Sequence, residues 1–231
     1  MRPGPEFELP NPFSTEFIAP AKVPYLFTTG AARRNPQQVD LHLESLLAKI
    51  RETPKGLIVG PHGTGKSTLL HTLLPKLQQS FPRVAFHQLS RDPRRSMMQR
   101  MIEDRRARKR MINLTSDLPK GALLVIDGLE QLNRPARWRI TRIASAKRAT
   151  ILASTHRKLT GWNLIHETST SSKMIQTLAT DLMEDSPFEL RRRITNELKQ
   201  RAVTPSTNVR DLWFEMYDRV QEANSLQPTE L

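Results

Sequence analysis

Residues 60–67 read Gly60-Pro61-His62-Gly63-Thr64-Gly65-Lys66-Ser67, which matches the pattern G-x-x-x-x-G-K-[ST]. Glycines let such a loop curl so that successive backbone N–H groups point inward, and the following helix adds its positive end. The lysine reaches phosphate oxygens and the next hydroxyl ligates Mg²⁺. An apolar run at 56–59 precedes the loop and a leucine-rich stretch follows it. The sequence therefore predicts a phosphate-binding loop, or P-loop, that takes ATP with Mg²⁺.

The predicted nucleotide contacts are the whole loop and the residue after it, namely Gly60, Pro61, His62, Gly63, Thr64, Gly65, Lys66, Ser67 and Thr68. Ser67 is also the first predicted ligand of the magnesium ion.

Strand and helix patterns alternate on both sides of this loop. Apolar runs at 56–59, 84–89, 122–126, 150–154 and 163–167 predict five strands, and helical periodicity appears near 39–51, 66–79 and 135–146. Such alternation is typical of βαβ units, whose parallel sheet is covered by helices on both faces. We therefore expect an α/β fold with a P-loop and a mainly parallel sheet of about five strands.

Three segments of different character divide the chain. Residues 1–38 are proline-rich and irregular, but they carry apolar side chains, so we expect this arm to pack on the core. Residues 39–171 form the predicted α/β domain. Residues 172–231 show only helical spacing, including a stripe from Val209 to Val220, and predict a three-helix, lid-like subdomain.

Composition limits the classes of protein that the chain can represent. Cysteine is absent, which excludes a disulfide scaffold and thiolate metal sites. The longest apolar run, Ala122–Ile126, is too short to span a bilayer, and no signal peptide is recognisable, so we expect a cytoplasmic protein. The formal net charge of +13 would attract polyanions, although a generally basic composition explains it equally well.

Polar residues follow two of the apolar strands. Asp127 ends the run 123–126, where a carboxylate can hold Mg²⁺ opposite the P-loop serine. Glu130 is a candidate general base for an attacking water, or a residue that complements a helix N-terminus. Thr155 and Arg157 follow the next strand, where they either sense a γ-phosphate or form an ordinary turn. His156 between them is interpreted as a loop histidine.

These motifs resemble those of a known family. Asp127-Gly128-Leu129-Glu130 resembles the Walker B motif of STAND/NACHT-type NTPases, a branch of the AAA+ ATPases, and Thr155-His156-Arg157 is similar to their sensor 1. Residues 208–212, Asn-Val-Arg-Asp-Leu, resemble the lid motif in which AAA+ proteins place a sensor 2 arginine, here Arg210. Asn11-Pro12-Phe13 resembles the start of secretion-associated AAA ATPases. The resemblance implies ATP binding, with Glu130, Thr155, Arg157 and Arg210 as catalytic residues.

The sequence departs from this family at two places. Gln131 stands where the Walker B pattern has a second acidic residue, and about five residues separate Arg157 from the next strand, too few for a helix bearing an arginine finger. Three functions stay open: an ATPase or ATP-dependent switch, a small-molecule kinase, and a nucleotide-binding interaction module without catalysis. The oligomeric state is not determined by the sequence.

The segment Arg91–Arg110 is strongly basic, with nine Lys or Arg against three acidic residues. A basic helix of this kind can follow a phosphate backbone, dock on an acidic protein, or be a solvated charged face. No aromatic side chain for base stacking lies within it. The interleaved Met97, Met98 and Met101 are expected to pack beneath the helix. A second basic cluster (Arg134, Arg137, Arg139, Arg142, Lys147, Arg148) favours a polyanion partner if it shares a face with the first.

Overall fold

Five short apolar segments form the strands of the computed structural model, which describes residues 10–27, 36–89 and 96–225. The strands are β1 (Lys55–Val59), β2 (Val84–Gln88), β3 (Leu123–Asp127), β4 (Thr150–Thr155) and β5 (Asn163–Glu167). The α-helices are α1 (Thr15–Ile18), α2 (Pro36–Glu52), α3 (Lys66–Ser80), α4 (Met97–Ser116), α5 (Arg134–Ala146), α6 (Ser172–Leu182), α7 (Phe188–Gln200) and α8 (Val209–Ser225). A 3₁₀ turn covers Leu129–Gln131.

The strands pair in the order β2-β3-β4-β1-β5, and every pair is parallel. This confirms the predicted five-stranded α/β fold. All carboxyl ends lie along one edge, and β4 is inserted between β1 and β3. In the register, Val59 pairs with Thr155 and Ile126 with Ala153, so the segments that follow β1, β4 and β3 are neighbours. Ligands of open α/β sheets bind at this edge, where the strand order reverses.

Helices cover both faces of the sheet, because its central strands are apolar on both sides. Every residue of β3 is buried. On one face, α4 and α5 pack through residues such as Met111, Ile140 and Ala144. On the other face, α2 and α3 contribute two leucine-rich stripes. Parallel strands buried on both faces read as continuous apolar runs, which is why the sequence pattern found them.

A third apolar core joins helices α6, α7 and α8 to the beginning of the described chain. Phe13 is fully buried there, with its ring 5.3 Å from that of Trp213, and the Asn11 side-chain amide donates to the Tyr217 carbonyl at 3.0 Å. Farther along the arm, Tyr25 packs with the α2–α3 core. The arm therefore contacts both the α/β core and the C-terminal helices. Helix α2 begins at Pro36, inside the segment predicted as irregular.

The predicted burial of the α4 methionines is wrong. Met97, Met98 and Met101 are 77%, 74% and 62% exposed. The fully buried residues of α4, Met111 and Thr115, lie in its carboxyl-terminal half, whereas the three methionines face solvent near its amino-terminal end. Residues 91–95 of the basic segment lie outside the described residues. Among the helices of the described ranges, none combines the length and the apolar character needed to cross a membrane.

Candidate nucleotide-binding site

The P-loop connects the end of β1 to the start of α3, as its sequence predicts. Gly63 and Gly65 have φ values of 70° and 89°, in the left-handed region that favours glycine. The Thr64 and Thr168 hydroxyls lie 2.6 Å apart, so the segment after β5 holds the middle of the loop. The Tyr25 ring packs against Gly65. The loop is thus supported by elements distant in sequence.

Lys66 lies over its own loop. Its Nζ donates to the carbonyl oxygens of Gly60 and Pro61, at 2.8 and 2.6 Å, and lies 3.1 Å from His156 Nδ1. Burial lowers the pKa of the Lys66 ammonium to about 8, against the opposing charges of Glu130 and Asp127. A phosphate that binds Lys66 therefore replaces carbonyl oxygens as its acceptors, and its negative charge favours the protonated form.

Asp127 is the last residue of β3, is buried, and is held by a residue that the sequence analysis did not name. Ser154 Oγ donates to Asp127 Oδ1 at 2.5 Å and accepts from the Gly128 N–H at 2.8 Å. The register explains the contact, because Ile126 pairs with Ala153 and the next residues are Asp127 and Ser154. The hydroxyl thereby fixes one carboxylate oxygen and leaves Oδ2 for a ligand.

The residues present fit Mg²⁺ bound mainly through water and phosphate. Within the described ranges no cluster of three or more His, Asp or Glu side chains forms a metal site of its own. Asp127 supplies one carboxylate and Ser67, in the first turn of α3, one hydroxyl. Mg²⁺ prefers oxygen ligands and commonly keeps several waters, with one or two protein carboxylates and the phosphates of the substrate.

Glu130 and His156 form the second polar cluster at this edge. Glu130 lies in the 3₁₀ turn after Gly128, and its Oε1 is 3.0 Å from His156 Nε2. His156 Nδ1 is 3.2 Å from the Gly60 carbonyl oxygen, and the His62 ring lies 3.6 Å from that of His156. Burial, followed by the charge of Lys66, lowers the His156 pKa, against the opposing charge of Glu130. His156, interpreted from sequence as a loop residue, thus joins the P-loop to Glu130.

The other two residues after β4 are placed differently. Thr155 Oγ1 donates to the Arg157 carbonyl at 2.5 Å and is buried, so this hydroxyl closes the turn. The Arg157 side chain is exposed. Side chains of a strand alternate between its faces, so Ser154 and His156 share a side that Thr155 does not. The structure therefore brings Ser154 and His156, rather than the Thr155 hydroxyl, to the carboxylates.

The amino-terminal end of α8 docks on the P-loop. The Val209 N–H donates to the Gly63 carbonyl at 3.2 Å, and Asn208 Oδ1 caps the helix by accepting from the Arg210 N–H at 3.1 Å. The Arg210 side chain is exposed in the first turn of this helix. The predicted sensor arginine is therefore carried by the helix end that contacts the loop.

Gln131, which replaces an acidic residue of the family pattern, has a structural contact. Its Nε2 donates to the Leu89 carbonyl at 2.8 Å and so ties the 3₁₀ turn to the end of β2. This contact requires a donor, which an ionised carboxylate lacks.

Comparison with known proteins identifies the fold. The family model described as the P-loop containing dynein motor region matches residues 36–137. No curated protein sequence matches the chain. A DNA replication initiation factor is similar in structure, with a TM-score of 0.55 and 19% identity over 87% of this chain and 63% of that one.

Two structures of the replication initiator DnaA are also similar. AMPPCP-bound DnaA from Aquifex aeolicus gives a TM-score of 0.54 with 15% identity over 97% of this chain and 68% of that one. DnaA bound to AMPPCP and single-stranded DNA gives 0.52 with 16% identity over 89% and 67%. This chain spans 63–68% of the length of these three proteins.

Proposed function

We propose that this chain, which has the fold of an AAA+ P-loop NTPase, binds MgATP at the P-loop and hydrolyses it as an ATP-dependent switch. One observation carries the proposal. His156 lies 3.1 Å from Lys66 Nζ and 3.0 Å from Glu130 Oε1, and Ser154 two residues before it donates to Asp127 at 2.5 Å, so groups from three different elements meet at the end of β4. A cation for phosphate, a carboxylate for magnesium and a candidate base thus share one edge of the sheet.

Each residue has a distinct role in this proposal. Backbone N–H groups of the P-loop and of the amino-terminal end of α3 bind the β-phosphate, and Lys66 binds β- and γ-phosphate oxygens. Ser67 and Asp127 would hold the Mg²⁺ ion, which supplies charge neutralisation to the phosphates. Glu130 orients the attacking water and accepts its proton. Arg210, which is exposed at the amino-terminal end of α8 beside the loop, would reach toward the γ-phosphate.

Two other functions make different predictions for the same site. A small-molecule kinase would need an acceptor substrate for phosphoryl transfer, and no carboxylate lies in β2 (Val84–Gln88), where kinases of this type place one. A binding module without catalysis would keep the P-loop contacts but would not depend on Glu130.

The test measures MgATP binding and phosphate release for the wild type, Lys66→Ala and Glu130→Gln. Lys66→Ala should weaken ATP binding by about 10- to 150-fold, because a hydrogen bond to a charged group contributes about 1.5–3 kcal/mol. Glu130→Gln should bind ATP like the wild type and lose turnover. Lys76→Ala on the same helix is the control, since it removes a lysine paired with Asp40 and Glu44 on the domain surface.

Each alternative function has its own result in this test. ATP binding without turnover in the wild type would support the binding module. Turnover only in the presence of a small acceptor would support the kinase. Equal ATP binding by the wild type and Lys66→Ala would exclude the proposed site.

A second candidate function is binding of single-stranded nucleic acid by α4 and α5. The two helices pack side by side, so the basic residues of α4 and those of α5 occupy one layer of the domain. Trp138 on α5 is 62% exposed, and the Arg142 guanidinium lies 5.3 Å from its ring centroid. On α4, Arg106, Lys109 and Arg110 line an open groove of about 370 Å³. An exposed aromatic ring beside an arginine can serve as a stacking platform for bases.

Anisotropy of a labelled single-stranded oligonucleotide, measured across salt concentrations, tests this surface. Trp138→Ala should weaken binding by about 5- to 150-fold, the effect of losing about 1–3 kcal/mol of base stacking. Arg106→Ala should reduce the salt dependence. Phe188→Ala, which removes an equally exposed ring from α7, is the control. Displacement by polyglutamate, but not by excess DNA, would indicate an acidic protein partner instead.

A further inference from the structure

The connection between β5 and α6, residues 168–171, is hydrogen-bonded both to the P-loop and to the segment that precedes α8. At its start, the Thr168 N–H donates to the Val59 carbonyl at 2.8 Å, which continues the pairing of β5 with β1. The Thr168 hydroxyl lies 2.6 Å from that of Thr64, and both threonines are 1% exposed. The beginning of this connection is therefore fixed against the loop.

The direction of the contact between the two hydroxyls follows from their protons. The Thr64 hydroxyl donates its one proton to the Pro61 carbonyl at 3.0 Å, so it accepts from Thr168. A chain of hydrogen bonds thus runs from Thr168 through Thr64 to the Pro61 carbonyl. The same carbonyl accepts from the Lys66 ammonium at 2.6 Å. The end of β5 is therefore bonded to the part of the loop on which this ammonium rests.

Two residues later, Thr170 is bonded to the turn that leads into α8. Its hydroxyl lies 2.9 Å from the Thr207 carbonyl and 3.0 Å from the Pro205 carbonyl, and its N–H also donates to Pro205 at 3.0 Å. The turn is closed within itself, because the Thr207 N–H donates to the Thr204 carbonyl and the Thr204 N–H donates to the Thr207 hydroxyl. The buried Thr170 side chain thus holds a turn that has its own internal hydrogen bonds.

Helix α8 follows this turn directly, so its amino-terminal end has two attachments at one edge of the sheet. The first is the hydrogen bond from the Val209 N–H to the Gly63 carbonyl at 3.2 Å, and the second is the contact of the turn with Thr170. Arg210 lies in the first turn of the helix, next to both. Two attachments fix the direction of a helix end, whereas a single one allows it to pivot. Supporting hydrogen bonds of this kind hold functional side chains in place.

We propose that Thr170 is a positioning residue that holds the Arg210 end of α8 against the P-loop. Without its hydroxyl, the Thr207 carbonyl loses a donor, and Thr170 keeps only its backbone bond to Pro205. The end of α8 is then held at the edge of the sheet mainly through Gly63. This inference rests on the proposed role of Arg210 at the γ-phosphate and assigns the residue that supports it.

Amide hydrogen exchange of the whole chain, followed by NMR, tests the attachment without requiring turnover. Thr170→Val keeps the shape of the side chain and removes the hydroxyl. Exchange of the Val209 N–H should become about 2- to 13-fold faster, the factor that corresponds to the loss of one hydrogen bond. Thr170→Ala should act in the same direction, and Thr170→Ser, which keeps the hydroxyl, should exchange like the wild type.

Thr180→Val is the matched control for this measurement. It removes an exposed threonine hydroxyl of α6 that donates to the Gln176 carbonyl at 2.8 Å, and it should leave Val209 exchange unchanged. Amides of α5 should exchange at wild-type rates in every variant, because the proposed effect is confined to the attachment of α8. Unchanged Val209 exchange in both Thr170→Val and Thr170→Ala would overturn the proposal. Equal acceleration of the α5 amides would overturn it too, since that pattern indicates only a loss of global stability.

ATP turnover supplies the second readout. Thr170→Val should lower kcat by no more than Arg210→Ala does, and Thr170→Ser should restore it. The double variant should have the kcat of Arg210→Ala alone, because both changes act through the same side chain. Wild-type kcat in Thr170→Val, or additive losses in the double variant, would contradict the positioning role. Absence of turnover in the wild type would instead contradict the proposed function, and the exchange comparison would still decide whether Thr170 holds α8.

Discussion

The contact between the P-loop and α8 gives a sharp test of how the C-terminal helices are attached. A Cβ added at Gly63 would lie 1.6 Å from Asn208 Oδ1, 2.4 Å from its Cγ and 3.0 Å from its Cα. Part of this obstruction is backbone, so a side-chain rotation does not remove it. Gly63→Ala should therefore displace the start of α8 and break the hydrogen bond from the Val209 N–H to the Gly63 carbonyl.

A matched control separates this displacement from backbone strain. Gly121 has a φ of 76°, close to the 70° of Gly63, but nothing lies within 4 Å of its added Cβ. Gly121→Ala should lower the free energy of unfolding by about 1–2 kcal/mol, the penalty for a non-glycine residue in the left-handed region. Gly63→Ala should lower it by about 0.5–1.5 kcal/mol more, the contribution of the broken hydrogen bond. Urea unfolding followed by tryptophan fluorescence measures both, with Trp213 of α8 reporting directly on the displaced helix.

Asn208→Ala forms a double-mutant cycle with Gly63→Ala. Alone, Asn208→Ala should lower the free energy of unfolding by about 1 kcal/mol, because α8 loses its capping side chain. In the Asn208→Ala background, Gly63→Ala should destabilise the protein by at least about 0.5 kcal/mol less, since the two nearest atoms are gone and Asn208 Cα lies 3.0 Å from the added Cβ. Equal destabilisation by Gly63→Ala and Gly121→Ala, with additive behaviour in the cycle, would refute docking of α8 on the loop.

Three further predictions follow from the site and the core. Because burial lowers the pKa of Lys66 to about 8, ATP affinity should be highest below pH 8 and fall by up to about tenfold per pH unit above it. Calorimetry should show this loss of affinity in the wild type and not in Lys66→Arg, because arginine stays charged. Ser154→Ala should lower the free energy of unfolding by about 1–3 kcal/mol, because Asp127 loses its buried hydrogen-bond donor. ATP binding by this variant should also require a higher Mg²⁺ concentration. Ser145→Ala, on the exposed face of α5, should change neither the stability nor the Mg²⁺ requirement. Phe13→Ala should cost about 3–5 kcal/mol in thermal or urea unfolding, because the ring is fully buried against Trp213, whereas Phe17→Ala at a partly exposed position should cost much less.

The fold could be predicted because its determinants are local in the sequence. Parallel strands buried on both faces require short continuous apolar runs, and the helices between them require 3.6-residue spacing. Both patterns are visible without knowing which strands pair. The prediction for the α4 methionines failed because packing is not local: Met97, Met98 and Met101 are apolar enough for a core, but the buried residues of α4 lie toward its other end.

The candidate site was only partly predictable for a related reason. The P-loop and the carboxylate after β3 have fixed sequence patterns, because phosphate and metal demand particular backbone and ligand types. Ser154 and His156 acquire their roles from a neighbouring strand, and the order that places β4 beside β3 is not written in either segment. The sequence signal that could have found them is the alternation of side chains along a strand. Once β4 is known to lie beside β3, every second residue at the end of β4 faces the carboxylates.

Besides His156 after β4, three other separated parts of the described chain contact the P-loop from outside its own motif. Tyr25 of the arm packs on Gly65, Thr168 after β5 bonds Thr64, and Asn208 at the start of α8 approaches Gly63. The arm and α8 are themselves joined, since Phe13 packs on Trp213 in the third core. A phosphate that reshapes the loop must therefore act on the arm and on the C-terminal helices together, because each of them rests on a different residue of the same loop. For the proposed ATP-dependent switch, that shared support gives a physical route by which nucleotide occupancy would alter a surface distant from the bound phosphate.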